Sequence, residues 1–203
     1  MRLNESKNGS SMRDEIIDKA RALFFSEGFS STSLRRIAKA CGCTAGNVYN
    51  HFRSKEEMLF EILFSEMSNL ISKLSPLENN HNDSPVEQLR SFIRKHVEHI
   101  LAQPPGKLLY FEMEMRHLSA SHRRKMIKMR NEYDTILRKI IRRGIDSGVF
   151  GHVNEKFFNY SIASTILRIR IWYSPKGNFC PSEISDIIFE TFFFGLQPRT
   201  KLM

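Results

Sequence analysis

The most informative segment of this chain is residues 28–55, which read GFSSTSLRRIAKACGCTAGNVYNHFRSK. Five of its side chains are lysine or arginine and none is aspartate or glutamate, so its formal charge is 5 − 0 = +5. Two short runs of helix-forming residues flank Gly42. Such a pattern is typical of a helix-turn-helix, whose second helix enters the major groove of DNA.

The capping residues of this segment predict where each short helix begins. Thr32 or Ser33 can accept a backbone N–H at the start of a helix over Leu34–Ala40. The glycine that follows supplies the positive φ that ends this helix. Thr44 then caps a second helix over Ala45–His51, which is too polar to be part of a core. We therefore expect the exposed face of the second helix to contact a partner.

The same segment resembles the DNA-binding domain of the TetR family of bacterial transcriptional regulators. The runs that carry the resemblance are TSLRRIA, CGCTAGNVYNHF and RSKEEML, and the match extends over about residues 12–62. It implies a homodimeric, all-helical regulator, usually a repressor, that responds to a ligand. The chain departs from the family pattern at Cys43, where an aliphatic residue is usual.

The resemblance also assigns roles on DNA to individual residues. Ala45, Asn47 and Asn50 are expected to face base edges, since asparagine suits adenine and alanine suits the thymine methyl group. The side chains expected at phosphates are Thr44, Tyr49, His51 and Lys55, with Arg35 at the backbone or a groove edge. The full predicted DNA-binding set is Thr32, Ser33, Arg35, Thr44, Ala45, Asn47, Tyr49, Asn50, His51 and Lys55.

The rest of the chain shows helical spacing of apolar residues and no alternating strand pattern. We predict an all-α fold, with an N-terminal three-helix DNA-binding domain and a larger C-terminal helical bundle for ligand binding and dimerisation. The expected divisions are a flexible tail over 1–11, the helix-turn-helix DNA-binding domain over 12–58 and the bundle over 59–197. The helices predicted outside the helix-turn-helix are Met12–Glu27, Lys55–Leu74, Pro85–Gln103, Lys107–Leu118, Ser121–Ser147, Glu155–Ser174 and Ser182–Gly195.

The last two predicted helices are rich in isoleucine and phenylalanine. In the family the corresponding pair forms a four-helix interface, which implies a homodimer through these helices. A twofold dimer places two recognition helices about 34–36 Å apart and predicts an inverted repeat in double-stranded DNA. Some of the same side chains are expected to be core of one subunit; the set is Ile162, Ile166, Ile169, Ile184, Ile187, Ile188, Phe192 and Phe193.

Composition disfavours several other classes of protein. No apolar run approaches the roughly 20 residues that span a bilayer, and residues 1–11 lack the apolar core of a signal peptide. We therefore expect a cytoplasmic location and no membrane partner. No metal-ligand cluster, cofactor motif or catalytic residue set stands out, so no enzyme activity and no cofactor are expected. The net charge of +9 favours an anionic partner.

Two further stretches resemble a subgroup of TetR regulators that control fatty-acid or steroid-ring degradation and respond to acyl-CoA thioesters. They are LRIRIWYSPKG with PSEI, within residues 167–184, and residues 112–150. Arg168 and Trp172 lie four residues apart and share a helix face, so they can hold a phosphate or thioester oxygen and stack on a flat group. An apolar channel for the acyl tail is expected from Leu109, Met113 and Met126.

Four alternatives stay open at this point. Arg168 can instead form an ion pair in the dimer interface, and the methionines can be ordinary core residues. The effector can be a cationic lipophilic drug, in which case the regulator controls efflux. Finally, Cys41 and Cys43 can form a redox switch in the turn, although two small packing residues explain the same spacing.

Overall fold

The computed structural model describes residues 11–80, 82–102 and 114–196. Within these ranges the chain is built of α-helices and short turns, with no strand. The helices are α1 (Met12–Glu27), α2 (Leu34–Ala40), α3 (Ala45–His51), α4 (Lys55–Leu74), α5 (Pro85–Leu101), α6 (Ala120–Asp146), α7 (Glu155–Trp172) and α8 (Pro181–Leu196). The all-α prediction is therefore confirmed.

The predicted bounds of α1 to α4 agree with the structure, and those of α5 to α8 differ by at most two residues at either end. The expected helix over Lys107–Leu118 lies largely outside the described residues, and its described end contains a 3₁₀ turn at Met115–His117. The predicted tail also lies outside them, except for Ser11. The side chain of Ser11 caps α1 in a reciprocal capping box with Asp14.

Contacts divide the chain into two compact units. The described residues of the N-terminal unit are 11–65 and 114–126, and those of the C-terminal unit are 66–80, 82–102 and 127–196. The backbone of α4 and that of α6 each continue from one unit into the other. The boundary expected between residues 58 and 59 stays a prediction.

The core of the N-terminal unit is formed around the buried face of α1. Ile16, Ala20 and Phe24 follow each other at intervals of four residues and are fully buried. From α2, Ile37 and the small Ala38 are buried as well. The other buried apolar side chains of α3, α4 and the turn between them are Val48, Phe52, Met58, Leu59, Ile62 and Leu63. The helix-turn-helix is thus held in place by packing on its inner side.

The C-terminal unit has its core where α5 packs against α7 and α8. Phe92, Ile93 and Val97 of α5 are fully buried. The isoleucines of the last two helices that are buried in this single chain are Ile162, Ile166, Ile169, Ile184 and Ile188. For these five the expectation of core packing within one subunit is confirmed, whereas Ile187 is half exposed.

A tight turn follows α6. Gly148 ends the helix with a positive φ of 75°. The chain then folds back so that the ring of Phe150 lies against Gly144, where a Cβ atom would come within 2.0 Å of the ring. Glycine is therefore required at residue 144 by this close approach.

No described helix combines the length and the apolar character that crossing a bilayer requires.

Candidate nucleic-acid interface

The two short helices of the helix-turn-helix begin at hydroxyl caps. The Oγ of Ser33 accepts the backbone N–H of Arg36 at 3.2 Å, and the Oγ1 of Thr44 accepts the backbone N–H of Asn47 at 3.2 Å. Between them Gly42 has a positive φ of 65°. Of the two caps that the sequence left open for α2, the structure uses Ser33.

Thr32 has a different position from the rest of the predicted DNA-binding set. Its side chain is only 1% exposed, and its Oγ1 donates to the backbone oxygen of Gly28 at 2.9 Å. A buried hydroxyl that is already bonded to the backbone is not presented to a partner. The side chain of Thr32 thus fixes the connection between α1 and α2, and a contact of this residue with DNA stays a prediction.

Lys55 is also engaged within the protein. Its Nζ donates to the backbone oxygens of Phe29 at 2.7 Å and Thr32 at 2.8 Å, and it lies 4.2 Å from the centre of the Phe29 ring. Burial lowers the pKa of Lys55 below its ordinary value. Its ammonium group thus ties the start of α4 to the start of α2, and a phosphate contact stays a prediction.

α3 presents nearly all of its side chains outward. Val48 is fully buried and attaches the helix to the core. Tyr49 is 58% exposed. The other exposed side chains of the predicted set are Ser33, Arg35, Thr44, Asn47, Asn50 and His51, and Ala45 is half-buried. The structure therefore brings most of the predicted residues onto one short helix and its cap, as a polar surface without an aspartate or glutamate.

One of the five cations of this segment is neutralised inside the unit. The guanidinium of Arg36 pairs with the carboxylate of Glu27, with Nη2 2.8 Å from Oε1. Arg35, Lys39 and Arg53 are exposed. Sequence analysis missed this pair because Glu27 precedes the segment, at the end of α1.

A second group that sequence analysis missed joins the segment 114–126 to α4 within the N-terminal unit. The backbone N–H of Ser119 and the Nδ1 of His122 both lie 2.8 Å from the Oε1 of Glu56. The ring of His122 is stacked on Phe60, with centroids 3.9 Å apart and planes inclined by 4°. We call Glu56, Phe60, Ser119 and His122 the α4 clasp.

The α4 clasp changes the ionisation of its carboxylate. Burial alone would raise the pKa of Glu56, but the hydrogen bonds from the Ser119 backbone and from His122 outweigh it and lower the pKa below its ordinary value. The carboxylate therefore stays ionised and keeps both contacts at neutral pH.

The two cysteines of the turn are half-buried. Burial and, next, the neighbouring Cys43 raise the pKa of the Cys41 thiol. A raised pKa leaves less of the reactive thiolate, which disfavours a redox switch at Cys41. Among the described residues no three histidine, cysteine, aspartate or glutamate side chains are grouped so as to hold a metal ion.

Comparison with known families agrees with this architecture. Residues 16–62 match the family described as "Bacterial regulatory proteins, tetR family". Residues 82–196, more than half of the chain, match "Tetracyclin repressor-like, C-terminal domain". The chain belongs to the TetR family. It is a DNA-binding transcriptional regulator and not an enzyme.

Individual relatives of this TetR regulator cover most of its length. The "HTH-type transcriptional repressor KstR2" of Rhodococcus jostii RHA1 is 28% identical over 178 residues, which is 86% of each chain. The "Fatty acid metabolism regulator protein" of Bacillus subtilis 168 is 27% identical over 134 residues, 66% of this chain and 68% of the relative. The crystal structure of AibR in complex with isovaleryl coenzyme A and operator DNA has a TM-score of 0.78 at 23% identity. It covers 90% of this chain and 98% of AibR, and it shows the same fold.

The residues that the regulator was expected to use for an effector are not all on one surface. Arg168 and Trp172 are exposed on α7, with 56% of Trp172 accessible in the single chain. Met126, in contrast, is fully buried. Leu109 and Met113 lie outside the described residues.

The outer face of α7 and α8 in the regulator is unusually apolar. Phe157 and Phe194 are 72% and 68% exposed. Other exposed apolar side chains of the two helices are Tyr160, Ile171, Trp172 and Ile187. Large apolar side chains left exposed in the single chain make these two helices a candidate interaction site. Arg168 and Trp172 thus belong to the same helix as this apolar face.

Proposed function

We propose that this regulator is a repressor that binds an inverted-repeat operator as a dimer and is released by an acyl-CoA thioester. The observation that carries the DNA-binding part is the outward face of α3, where Asn47 and Asn50 are exposed next to the capping hydroxyl of Thr44. Asparagine amides suit bidentate contact with adenine. Arg35 and His51 are exposed as well and are the groups that we expect to contact phosphates.

Dimerisation through α7 and α8 is supported by their exposed aromatic and aliphatic side chains. Phe157 and Phe194 are the most exposed large apolar residues on these helices. Burying such side chains against a second copy removes apolar surface from water, at about 25 cal/mol per Å². In a dimer two small DNA-binding domains engage two successive major grooves, which strengthens binding over that of one domain alone.

Three observations support an acyl-CoA effector. The relatives named above include a fatty acid metabolism regulator, and AibR was solved with isovaleryl coenzyme A. Arg168 and Trp172 lie four residues apart on α7 and are exposed, so a guanidinium and an indole are free to meet a phosphate and a flat ring. Arg168 as an ion-pair partner in the dimer interface is the competing role.

Release from DNA requires the effector to prefer a conformation in which the two heads are wrongly spaced for the operator. The backbones of α4 and α6 run from the N-terminal unit into the C-terminal unit. Within the described part of the chain, these two helices are therefore the segments through which an effector held by the C-terminal unit acts on the DNA-binding helices.

The effector class is tested by thermal unfolding of the purified protein with acyl-CoAs of graded length. Free coenzyme A, free fatty acids and cationic lipophilic dyes serve as controls. A ligand at 100 times its dissociation constant adds about 2.7 kcal/mol of stability, which raises Tm by roughly 5–10 °C for a chain of this size. A shift that peaks at one acyl length supports the proposal. A shift with the dyes and with no thioester contradicts it and favours a drug sensor.

A further inference from the structure

The interior of the C-terminal unit contains a polar pair to which the proposed function assigns no role. The Nδ1 of His96 on α5 and the hydroxyl of Tyr133 on α6 lie 3.1 Å apart, and the two residues are 2% and 5% exposed. The ring of Phe92 packs on both, with centroids 6.3 Å from His96 and 5.5 Å from Tyr133. The pair is therefore shielded from water.

This pair has one hydrogen more than it can use. A neutral imidazole carries one N–H and a phenol carries one O–H, and the mutual hydrogen bond consumes only one of them. The Nε2 of His96 is buried and has no hydrogen-bond partner. When Tyr133 donates to Nδ1, the hydrogen left over is the one on Nε2.

Both members of the pair are neutral at physiological pH. Burial, with a smaller contribution from His99, lowers the pKa of His96 to about 3. Burial and the nearby Asp134 raise the pKa of Tyr133. A buried donor without a partner is costly, so natural proteins keep few of them without a functional reason.

A second observation points to the same face of α6. The Nε of Arg130 is also buried and without a hydrogen-bond partner. Arg130 precedes Tyr133 by three residues and Met129 precedes it by four, so the three share one helix face. Met129 is almost fully buried, and its unbranched thioether adapts to a neighbour of changed shape. Ligand sites commonly combine apolar side chains with a few polar groups that fix the orientation of the ligand.

We propose that the His96–Tyr133 pair is a recognition site for a neutral carbonyl oxygen of the effector, which accepts the hydrogen that the pair cannot use. The inference rests on the proposed function, and it names the atom of the acyl-CoA that this site reads: the thioester oxygen. Met129 gives way to admit the acyl group, and the Nε of Arg130 is the second donor on that face.

The neutral His96–Tyr133 pair suits an acceptor that carries no charge. His96 carries no charge and is packed among apolar side chains, and an ionised carboxylate without a countercharge is expensive to bury. A thioester offers an oxygen without charge, whereas a free fatty acid needs a countercharge, which only the guanidinium of Arg130 on this face of α6 supplies among the residues of the proposed site.

The test compares two ligands that differ at one oxygen. The first is the acyl-CoA that gives the largest thermal shift, and the second is the S-alkyl-CoA of equal length, whose thioether has no carbonyl oxygen. Dissociation constants are measured by calorimetry for the wild type and for the double variant His96→Leu/Tyr133→Phe, which replaces the pair by apolar groups. His152→Leu, at an exposed position outside both helices, is the control variant.

The wild type and the control are expected to bind the thioester about tenfold more tightly than the thioether, the value of one neutral hydrogen bond. The double variant is expected to bind both ligands alike, with an unchanged or higher Tm. An equal preference in wild type and double variant overturns the inference while the proposed effector stands. A fall in Tm by more than about 5 °C also overturns it, because the pair is then structural. If neither ligand binds the wild type, the proposed effector itself fails and the inference fails with it.

Discussion

Thr44 and Asn47 are joined by two hydrogen bonds at the start of the recognition helix. The Oγ1 of Thr44 accepts the backbone N–H of Asn47 at 3.2 Å and donates to its Oδ1 at 2.5 Å. One residue therefore both begins α3 and orients the amide that we expect to read a base. Helix formation and DNA recognition are linked at this position.

The first prediction concerns this cap. Thr44→Ala is expected to lower the free energy of unfolding by about 1 kcal/mol and to weaken DNA binding, because it also frees the Asn47 amide. Thr44→Ser keeps the hydroxyl and is therefore expected to keep both the stability and the DNA affinity of the wild type. Urea unfolding and DNA titration measure the two effects. Ser84→Ala removes a comparable cap from α5 and controls for stability; equal loss of DNA binding in both variants would refute the link.

The second prediction separates base reading from phosphate binding. Asn47→Ala is expected to reduce discrimination between operator and scrambled DNA by about 1–3 kcal/mol. Arg35→Ala is expected instead to weaken binding to both DNAs equally and to reduce the salt slope by about 0.9. Binding isotherms at several salt concentrations check both variants. Unchanged discrimination by Asn47→Ala would remove this residue from the base-reading set.

A third prediction follows from the two carbonyl groups that hold Lys55. Lys55→Met leaves the backbone oxygens of Phe29 and Thr32 without this donor, and we expect it to cost about 1–3 kcal/mol of unfolding free energy. Lys39→Met, at an exposed position on α2, is the matched control and should have little effect. Urea unfolding of both variants measures this difference in stability. If Lys55→Met leaves stability unchanged but reduces the salt slope of DNA binding, the lysine acts on phosphate instead.

The α4 clasp makes a prediction about pH. Because the folded pKa of Glu56 lies below its ordinary value of 4.5, the clasp is fully stabilising above that value and loses its effect as pH falls through the lowered pKa. The wild type is therefore expected to exceed Glu56→Gln by about 1 kcal/mol at pH 7, and the difference should vanish in stronger acid.

Urea unfolding between pH 7 and pH 3 measures this difference. Glu98→Gln removes an exposed carboxylate from α5 and controls for the loss of one charge. A gap between wild type and Glu56→Gln that stays constant down to the lowest pH would show that the charge of Glu56 is not what stabilises the clasp.

The helix bounds could be predicted from the sequence because they depend on interactions between residues that are close together in the chain. The start of α3 at Thr44 and its preceding turn at Gly42 depend on residues within a few positions of each other, so reading the chain in order was enough. The burial of Thr32 was missed because a threonine before a helix is equally suited to capping, and only the packing of α1 against α2 assigns it to the interior.

Contacts between residues that are far apart in the chain could not be predicted from the sequence. Glu56 and His122 are separated by 66 positions, and nothing in either local pattern links them. The same holds for His96 and Tyr133. Nothing in the local sequence of α5 or α6 distinguishes them, and their contact depends on how these two helices pack. The exposure of Arg168 could not be predicted either, because the elements that pack against α7 decide which of its faces is buried.

The most direct test of the account is release of the regulator from DNA. A labelled operator fragment, selected with the protein from a pool of random DNA, is titrated with the protein, and fluorescence anisotropy is followed with and without the acyl-CoA that gives the largest thermal shift. The account predicts specific binding that weakens between about 5-fold and 150-fold with the thioester, and no change with free coenzyme A or the free acid. Binding that is unaffected by every thioester but lost with a cationic dye would contradict it.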